Sequence, residues 1–362
     1  MTMLPERQAG WLPQLFVPPI TRASAVAALL ILGTLSMPTA AAQITGIVTD
    51  LSGTPIGEAL VSIRASKIRT LTGADGRFEL TGIEDGRVVV VAGRQGFYNG
   101  SLWLDAPTTG ITIELEAIPQ DDNPDYQFVR ARICGGCHNN QFEDWTGSAM
   151  AQAGTNTWVY DIYDGSGTEG GNGGFVYVRD SVYGHENPAS ECAACHQPEA
   201  WAHKPYQPLD PLASLSTPAL HGVSCDLCHK IAYVDESKAN YPGLYPGSVT
   251  LTRPAEASSQ VQYGGLGDTE FGLDDNIMRP SYQPQLTAAM CGVCHQDMND
   301  PDEDGDFADE EGVISEPTYL EWLASPYGDP ESPLYTPCVD CHMPPSGADT
   351  IGGWYGYRFP VR

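Results

Sequence analysis

The fold of this 362-residue chain is decided by a pentapeptide that first occurs as Cys134-Gly-Gly-Cys137-His138. The same Cys-x-x-Cys-His pattern returns as Cys192-Ala-Ala-Cys195-His196, Cys225-Asp-Leu-Cys228-His229, Cys291-Gly-Val-Cys294-His295 and Cys338-Val-Asp-Cys341-His342. We number these five copies motif 1 to motif 5 in chain order. They contain all ten cysteines of the chain, so none is left over for a disulfide framework.

Cys-x-x-Cys-His is the signature of covalent c-type haem attachment. Each thiol forms a thioether bond with one vinyl group of the porphyrin, and the adjacent His becomes the proximal ligand of the iron. A Cys-x-x-Cys pair can instead be a redox dithiol or half of a zinc site. Neither requires a His directly after the second Cys, and five zinc half-sites would leave one over. The sequence therefore predicts five covalently bound haems.

The charge of the chain is strongly acidic. It carries 46 Asp and Glu against 18 Lys and Arg, a formal net charge of −28. This balance argues against a nucleic-acid partner and against binding to anionic membranes. Simple solubility, a basic partner and a bound cation remain as interpretations.

Residues 1–42 have the features of a secretory signal peptide. Arg7 and Arg22 supply positive charge, residues 25–35 are apolar, and Ala40-Ala41-Ala42 is a small-residue cleavage site. The apolar run is shorter than a bilayer requires, which argues against an uncleaved anchor. No later segment is a candidate for spanning a membrane. We therefore expect export to the periplasm, the cell surface or the medium, in agreement with haem c, which is attached outside the cytoplasm.

Residues 43–118 contain neither Cys nor His and form the first expected domain. Segments with strand-like patterns lie at 44–49, 59–63, 77–80, 87–92, 101–104 and 111–115. The turns between them carry Gly53, Gly76, Gly86 and Gly96. Short strands separated by Gly-containing turns at this spacing predict a small β-sandwich.

This segment also resembles the carboxypeptidase regulatory-like family, a transthyretin-type sandwich. The matching sequence segments are Gly46-Ile-Val-Thr-Asp50, Gly53-Thr-Pro55-Ile-Gly57-Glu-Ala59-Leu-Val61, Asp75-Gly76-Arg-Phe78 and Gly96-Phe97-Tyr98. The resemblance implies a docking or assembly module, with a passive stabilising domain as the alternative. It implies no catalytic residue.

A predicted linker at 119–125 leads into the predicted haem domain, 126–362. Gly and Pro interrupt most of that region, so we expect a mostly irregular domain with some α-helix. Helices are predicted at about 139–150 and 317–324, and long aperiodic segments at 161–184 and 240–285. Because large apolar porphyrins can replace side chains as the core, we expect little conventional core there.

The haem region contains a short internal sequence repeat, which we call the sequence echo. Phe142-Glu-Asp-Trp145-Thr-Gly-Ser148-Ala-Met150 parallels Tyr319-Leu-Glu-Trp322-Leu-Ala-Ser325-Pro-Tyr327. Together with the motifs and with His221-Gly-Val-Ser-Cys225 and Cys341-His-Met-Pro344, this resembles the tetrahaem electron carriers that serve hydroxylamine oxidoreductase, and multihaem cytochromes more widely. The resemblance spans about 126–345 and implies electron transfer. In that family the sequence pattern ends in a His that is often a distal iron ligand. This chain has Met150 and Tyr327 at the two corresponding positions.

The histidines are too few to give every iron two imidazoles. Five of the eight are the expected proximal ligands, His138, His196, His229, His295 and His342. The other three, His185, His203 and His221, are candidate distal ligands, and Met150 and Met278 are further candidates. At least two irons therefore need Met, another ligand or an open position, and a thioether ligand raises the reduction potential.

One acidic stretch matches the EF-hand calcium loop. The carboxylates Asp300, Asp302, Asp304, Asp306 and Glu311 surround Gly305 with the spacing of that loop. Carboxylate oxygens suit Ca²⁺. No flanking helix pair is evident, so the alternatives are a lone calcium loop and a solvated acidic loop.

The sequence therefore predicts an exported pentahaem cytochrome that transfers electrons to redox protein partners, to extracellular acceptors or through self-assembly into an oligomer or filament. No catalytic residue is assigned. The alternative is a multihaem oxidoreductase in which one open-coordinate haem acts on a small nitrogen or sulfur compound. CO binding to the reduced protein distinguishes the two, because only an open iron binds it.

Overall fold

The computed structural model describes residues 42–64, 66–171, 174–180, 190–256, 259–265, 267, 278–302, 304–308 and 311–343. The predicted signal peptide up to residue 41 and the candidate ligand His185 lie outside the described residues. Within the described part of the chain, no helix is long and apolar enough to cross a bilayer.

The N-terminal region is built of seven strands in two sheets. They are β1 (Ala42–Asp50), β2 (Leu60–Ile63), β3 (Arg69–Leu71), β4 (Arg77–Ile83), β5 (Gly86–Gly93), β6 (Gly100–Ala106) and β7 (Thr108–Leu115). One sheet has the order β4-β1-β7 and the other β3-β2-β5-β6. β1 runs antiparallel to β4 and parallel to β7. All six predicted strand segments are confirmed, and β3 was not predicted because its three residues show no buried position.

An aliphatic core holds the two sheets together. Ile44 and Val48 of β1 are fully buried, as are Leu80 of β4 and Ile113 and Leu115 of β7. Their spacing of two or four residues is the strand period that places side chains on one face. Each buried aliphatic side chain contributes about 1.5–3 kcal/mol. The sandwich core therefore consists of its own side chains.

The remaining region is made of short elements. The helices are α1 (Ala131–Cys134), α2 (Asn139–Thr146), α3 (Thr157–Tyr163), α4 (Tyr177–Asp180), α5 (Cys192–His196), α6 (Pro198–His203), α7 (Thr217–Leu220), α8 (Cys225–Cys228), α9 (Ala289–His295), α10 (Thr318–Leu323) and α11 (Cys338–His342). The strands are β8 (Ile231–Val234), β9 (Val249–Leu251), β10 (Val261–Gly264), β11 (Arg279–Tyr282), β12 (Asp297–Met298) and β13 (Ile314–Glu316), paired as β8-β9, β10-β11 and β12-β13. Short 3-10 helices span Met150–Thr155, Leu212–Ser214, Glu236–Lys238 and Pro284–Thr287.

The two predicted helices are present in shorter form. α10 matches the second prediction closely, whereas α2 ends at Thr146 and a 3-10 helix begins at Met150. Gly147 caps α2, and its backbone N–H donates to the Glu143 carbonyl. Helices this short are unstable in isolation, so contacts between distant segments must hold them.

In contrast to the expectation of little conventional core, the haem-motif region has an aromatic one. Tyr126, Phe128, Tyr160 and Tyr163 are buried together with Trp201, which is fully buried. Trp201 Nε1 donates a hydrogen bond of 2.9 Å to the Leu244 carbonyl. The reason is that large side chains are needed to tie short helices together between the motifs.

The sandwich is joined to the haem-motif region by specific contacts within one compact unit, Ala41–Arg362. The Asn99 backbone N–H donates to the Pro280 carbonyl (2.9 Å), and Asn99 Oδ1 accepts from the Tyr282 N–H (2.9 Å). The Arg279 guanidinium lies 3.6 Å from the centroid of the Tyr98 ring. These contacts fix β11 against the sandwich.

Charge is divided unequally between these regions. Residues 43–118 carry six Lys and Arg against nine Asp and Glu, a net −3, whereas residues 119–362 carry ten against 36, a net −26. On the sandwich, Trp103 is 61% exposed, and the guanidinium groups of Arg64 and Arg87 lie 5.1 and 5.3 Å from its ring. Acidic charge is therefore concentrated in the part that carries the motifs.

Candidate functional site

Each of the five motifs lies on a short helix or directly follows one. α5 and α11 span motifs 2 and 5 completely, and α9 ends on motif 4. Helical positions separated by three and four residues share a face, so the two thiols and the imidazole of one motif lie on the same side. None of the ten cysteines, all of which the structure describes, forms a disulfide.

Thiols of different motifs contact one another. The Cys134 thiol of motif 1 lies beside that of Cys225 of motif 3, and the pKa of each is shifted by the other. The Cys195 thiol of motif 2 lies beside that of Cys294 of motif 4, which raises the pKa of Cys195.

Motif 4 has further neighbours. Its other thiol, Cys291, lies beside Cys338 of motif 5, and Cys228 of motif 3 lies near both thiols of motif 4. Motif 4 thus has motifs 2, 3 and 5 as neighbours, and motif 1 neighbours motif 3.

The environment of most thiols opposes ionisation. Burial raises the pKa of Cys228 and of Cys291 to about 12. The neighbouring Cys294 thiol and burial together raise the pKa of Cys195. Cys225 departs from this trend, since the neighbouring Cys134 thiol lowers its pKa.

Several imidazoles are held by one ring nitrogen. The Nδ1 atom of His229 contacts the Tyr263 carbonyl, and that of His203 lies 2.9 Å from the Pro124 carbonyl. The Nδ1 atom of His221 contacts the Glu199 carboxyl group, while its Nε2 atom is buried without a hydrogen-bond partner. Iron-ligating histidines are oriented in this way through the nitrogen that does not bind the metal.

Burial also favours neutral rings. It lowers the pKa of His138, His196, His221 and His229. A ligating nitrogen must be unprotonated. The residues of the motifs therefore fit covalently bound haem c in both thiol and imidazole chemistry.

Glu199 was not predicted from the sequence. It is fully buried, and burial raises its pKa to about 8. One carboxyl oxygen contacts His221 Nδ1 and the other accepts a hydrogen bond from Ser224 Oγ. Glu199 therefore orients the candidate ligand His221. Glu199 directly follows motif 2 in the chain, whereas His221 precedes motif 3.

A buried ion pair joins motif 3 to the residue that follows it. Lys230 is fully buried, and its Nζ is 2.9 Å from Asp226 Oδ1. The other carboxylate oxygen accepts hydrogen bonds from Tyr126 Oη (2.9 Å) and from the Val129 N–H (2.7 Å). The sequence signal was an Asp between the two cysteines with a Lys four residues later, the spacing of a helical ion pair.

Both methionine candidates are described. Met278 Sδ accepts a hydrogen bond of 3.0 Å from Lys230 Nζ. Met150 is 37% exposed, and its carbonyl accepts from the Val223 N–H (2.9 Å). Their role as iron ligands stays a prediction, and Met278 would have to leave Lys230 to fill it.

The sequence echo corresponds to a repeated structure. We call motif 1, α2 and motif 3 the first module, and motif 4, α10 and motif 5 the second module. In the first, Phe142 stacks on Trp145 (6.1 Å), and Trp145 Nε1 donates to the Val223 carbonyl (2.8 Å).

In the second module, Tyr319 stacks on Trp322 (5.8 Å), and Trp322 Nε1 donates to the Thr336 carbonyl (3.0 Å). Val223 and Thr336 each lie two residues before the first Cys of the second motif of their module.

Further contacts repeat as well. A Cβ atom on Gly135 would lie 2.6 Å from Phe142 Cγ, and one on Gly292 would lie 2.6 Å from Tyr319 Cγ. The first cysteines of the two motifs are neighbours in both modules, Cys134 with Cys225 and Cys291 with Cys338. The sequence indicated the aromatic echo but not that each copy joins two motifs.

The acidic loop brings carboxylates together. Ligand oxygens of Asp300, Asp302 and Asp304 lie within 4.8 Å of one another. The Gly305 N–H donates to Asp300 Oδ2 (2.7 Å), whereas Asp300 Oδ1 is buried without a partner. Glu311, at the twelfth loop position, is exposed. Asp306 Oδ1 accepts from the Ala308 N–H (3.0 Å).

This loop is anchored beside motifs 2 and 4. Phe307 is buried and its ring lies 5.0 and 4.8 Å from the rings of Tyr241 and Tyr245. Between these tyrosines, the Gly243 N–H donates to the Val293 carbonyl (2.8 Å) of motif 4 and the Leu244 N–H to the Ala194 carbonyl (3.3 Å) of motif 2. The loop therefore supports the segment that bridges the two motifs.

Comparison with known proteins agrees with this geometry. Residues 43–116 match the family model of the carboxypeptidase regulatory-like domain. Residues 133–230 match the model of cytochrome c554 and c-prime, a segment that contains motifs 1, 2 and 3. Both resemblances predicted from the sequence are thereby confirmed. A cytochrome c domain of this family implies covalently bound haem c and supports a multihaem c-type cytochrome in electron transfer.

Whole-chain comparisons add little. None of the curated proteins matches the chain. Among solved structures, a C-terminal interface mutant of a type II cohesin–X–dockerin complex from Acetivibrio cellulolyticus shows 15% identity and a TM-score of 0.17, covering 20% of this chain and 51% of that chain. The N-terminal interface mutant of the same complex shows 16% identity and a TM-score of 0.19, covering 26% and 73%. The chain thus spans about half of the first of these, and such low TM-scores carry no argument.

Proposed function

We propose that this protein is an exported pentahaem c-type cytochrome in which every motif binds one haem. The thioether bonds would be formed by Cys134, Cys137, Cys192, Cys195, Cys225, Cys228, Cys291, Cys294, Cys338 and Cys341. The proximal ligands would be His138, His196, His229, His295 and His342. Bound haem supplies one-electron chemistry, while the protein supplies ligands, spacing and electrostatics.

The proximity of thiols of different motifs carries this proposal. Each thiol is an attachment point, so neighbouring thiols bring the attachment points of different motifs together. Such neighbours link motif 1 to motif 3, motif 3 to motif 4, and motif 4 to motifs 2 and 5. A carrier that passes electrons between cofactors requires such continuity.

Among the candidate distal ligands, His221 has the strongest support. Its Nδ1 is held by Glu199 and its buried Nε2 lacks a hydrogen-bond partner, which is the arrangement of a ligating imidazole. His203 shares the held Nδ1 atom. His185, Met150 and Met278 remain proposals that rest on the ligand count.

Export, domain limits and partners complete the proposal. We assign 1–42 to a cleaved signal peptide, 43–118 to a transthyretin-type docking module, 119–125 to a linker and 126–362 to the pentahaem domain. The electron partners would be redox proteins, extracellular acceptors or further copies of this chain in an oligomer or filament. Asp300, Asp302, Asp304, Asp306 and Glu311 would bind Ca²⁺, supported by the buried and unpartnered Asp300 Oδ1.

The test is a haem count on the secreted protein, produced in a host that attaches haem c. The intact mass should exceed that of the mature polypeptide by five haems. Replacing both cysteines of motif 5, Cys338→Ser and Cys341→Ser, should lower the count to four. A colourless protein with the mass of the bare polypeptide would contradict the proposal.

A second function is favoured by the ligand count alone. Five irons have ten axial positions, and the chain has eight histidines. An open iron could make the protein an oxidoreductase that acts on a small nitrogen or sulfur compound. CO binding to the reduced protein tests this, because six-coordinate haems with strong ligands do not bind CO.

A further inference from the structure

The two modules share a backbone plan but differ at two positions that can bear iron ligands. From the repeated contacts we infer that an iron of the second module, at motif 4 or motif 5, has an open axial position that binds small neutral ligands such as CO or NO. This inference rests on the proposed binding of five haems. It extends that proposal by locating the open site and by naming the ligand class.

The equivalence of positions follows from the contacts, not from sequence spacing alone. The structurally matched pairs are Gly135 and Gly292, Phe142 and Tyr319, Trp145 and Trp322, Ser148 and Ser325, Val223 and Thr336, and Cys225 and Cys338. Ser148 and Ser325 each donate from Oγ to the carbonyl of the preceding Trp, at 2.6 and 2.7 Å. The Val223 N–H donates to the Met150 carbonyl and the Thr336 N–H to the Tyr327 carbonyl, both at 2.9 Å. These contacts match Met150 with Tyr327 directly, whereas His221 and Leu334 are matched by their position two residues before Val223 and Thr336.

Counting from these matched residues identifies the difference. Met150 follows Trp145 by five residues, and Tyr327 follows Trp322 by five. His221 precedes Cys225 by four residues, and Leu334 precedes Cys338 by four. The first module thus offers a thioether and an imidazole where the second has a phenol and a hydrocarbon. Leucine has no atom that can bind iron.

Tyr327 is a poor substitute for a thioether ligand here. Tyrosine binds haem iron as a phenolate, and an anion needs nearby positive charge to be stable. Residues 280–343 contain no Lys or Arg, and residues 289–343 carry 14 Asp and Glu. Tyr327 is also 53% exposed. The same acidic surroundings would repel anionic ligands such as azide or nitrite, which is why the expected ligand is neutral.

The described distal histidine candidates, His203 and His221, contact residues outside the second module. His203 packs edge-on against Phe128 (5.8 Å), and His221 is held by Glu199. Between residues 230 and 343 the only histidines are His295 and His342, which are proximal. The second module therefore has no further imidazole in its own sequence.

The experiment uses the mature protein that carries five haems. After reduction, CO should change the Soret absorbance by the amount expected for one or two haems in five. Azide added to the oxidised protein should bind at least tenfold more weakly than it binds an open haem in neutral surroundings, such as that of myoglobin. Leu334→His and Tyr327→Met restore the side chains of the first module. At least one of them should remove the signal of one CO-binding haem and convert a high-spin electron paramagnetic resonance signal to low spin.

Leu323→His is the matched control, because it adds a histidine at an exposed position of α10 that has no ligand counterpart in the first module. It should leave CO binding unchanged. A protein with five haems that shows no CO-induced change would overturn the inference. So would CO binding that persists unchanged in the Tyr327→Met/Leu334→His double variant. A protein without haem would instead overturn the proposed function.

Discussion

The sandwich and the haem-motif region achieve order in different ways. The sandwich has strands of up to nine residues around an aliphatic core, and its sequence carries a net charge of −3. In the other region no described helix exceeds eight residues, and the net charge is −26. Fully buried side chains there include an ion pair and a carboxyl group. The sandwich is thus held by regular strands around an aliphatic core, whereas the haem-motif region combines short helices with an aromatic core and buried charged groups.

The largest expected effect comes from preventing haem attachment in the full chain. If all ten cysteines are replaced by serine, the region from α1 to α11 should lose most of its protection against hydrogen exchange, while β1, β5 and β7 keep theirs. The reason is that short helices need tertiary partners. Hydrogen exchange monitored by mass spectrometry measures both regions at once. Equal protection of both in the haem-free chain would contradict the comparison.

The next effect concerns charge buried in motif 3. Lys230→Met leaves Asp226 buried without its partner, so we expect a loss of about 3–5 kcal/mol. The double variant Lys230→Met/Asp226→Asn should lose less, because no unpaired charge remains. Urea unfolding of the haem-bound proteins, followed by absorbance, gives both values. An unchanged midpoint for the single variant would show that the ion pair does not support this region.

The aliphatic core of the sandwich provides the matching test. Leu80 is 1% exposed and Leu71 is 59% exposed, so they form a matched pair for replacement by alanine. Leu80→Ala should cost about 2–5 kcal/mol, whereas Leu71→Ala should change stability by less than about 0.5 kcal/mol. Hydrogen exchange of β1 and β4 measures the effect. A similar loss in both variants would mean that packing does not dominate in the sandwich.

The smallest expected effect is that of Ca²⁺. Binding to the native loop alone would stabilise it by about 2.7 kcal/mol at one hundred times Kd, and by less at lower concentrations. Protection should increase at residues 240–247, which the loop supports through Phe307, and stay constant in the sandwich. Asp300→Asn should abolish the response and Asp75→Asn, on the sandwich, should not. No change in melting temperature or protection upon adding Ca²⁺ would contradict the site.

The sequence predicted features that are local in the chain. Alternating apolar residues revealed six strands, and the motifs revealed the attachment chemistry, but the three-residue strand β3 has no pattern to read. Glu199 was missed because its contacts with His221 and Ser224 span 22 and 25 residues. The same holds for the Trp145 bond to Val223, which spans 78 residues. Without knowledge of this bond, the repeated aromatic segment predicts two similar helices but not that each helix joins two motifs.

The unequal division of charge has a consequence for how the molecule meets a surface. A body with most of its negative charge at one side has a permanent electric moment, and an external field exerts a torque on it. Near a positively charged mineral or electrode, the motif-bearing side would turn inward. Near an anionic surface the preferred orientation would reverse. Dissolved salt limits this electrostatic interaction to a distance of about 8 Å at physiological ionic strength. Lowering the salt concentration should therefore improve electrical contact with a cationic electrode.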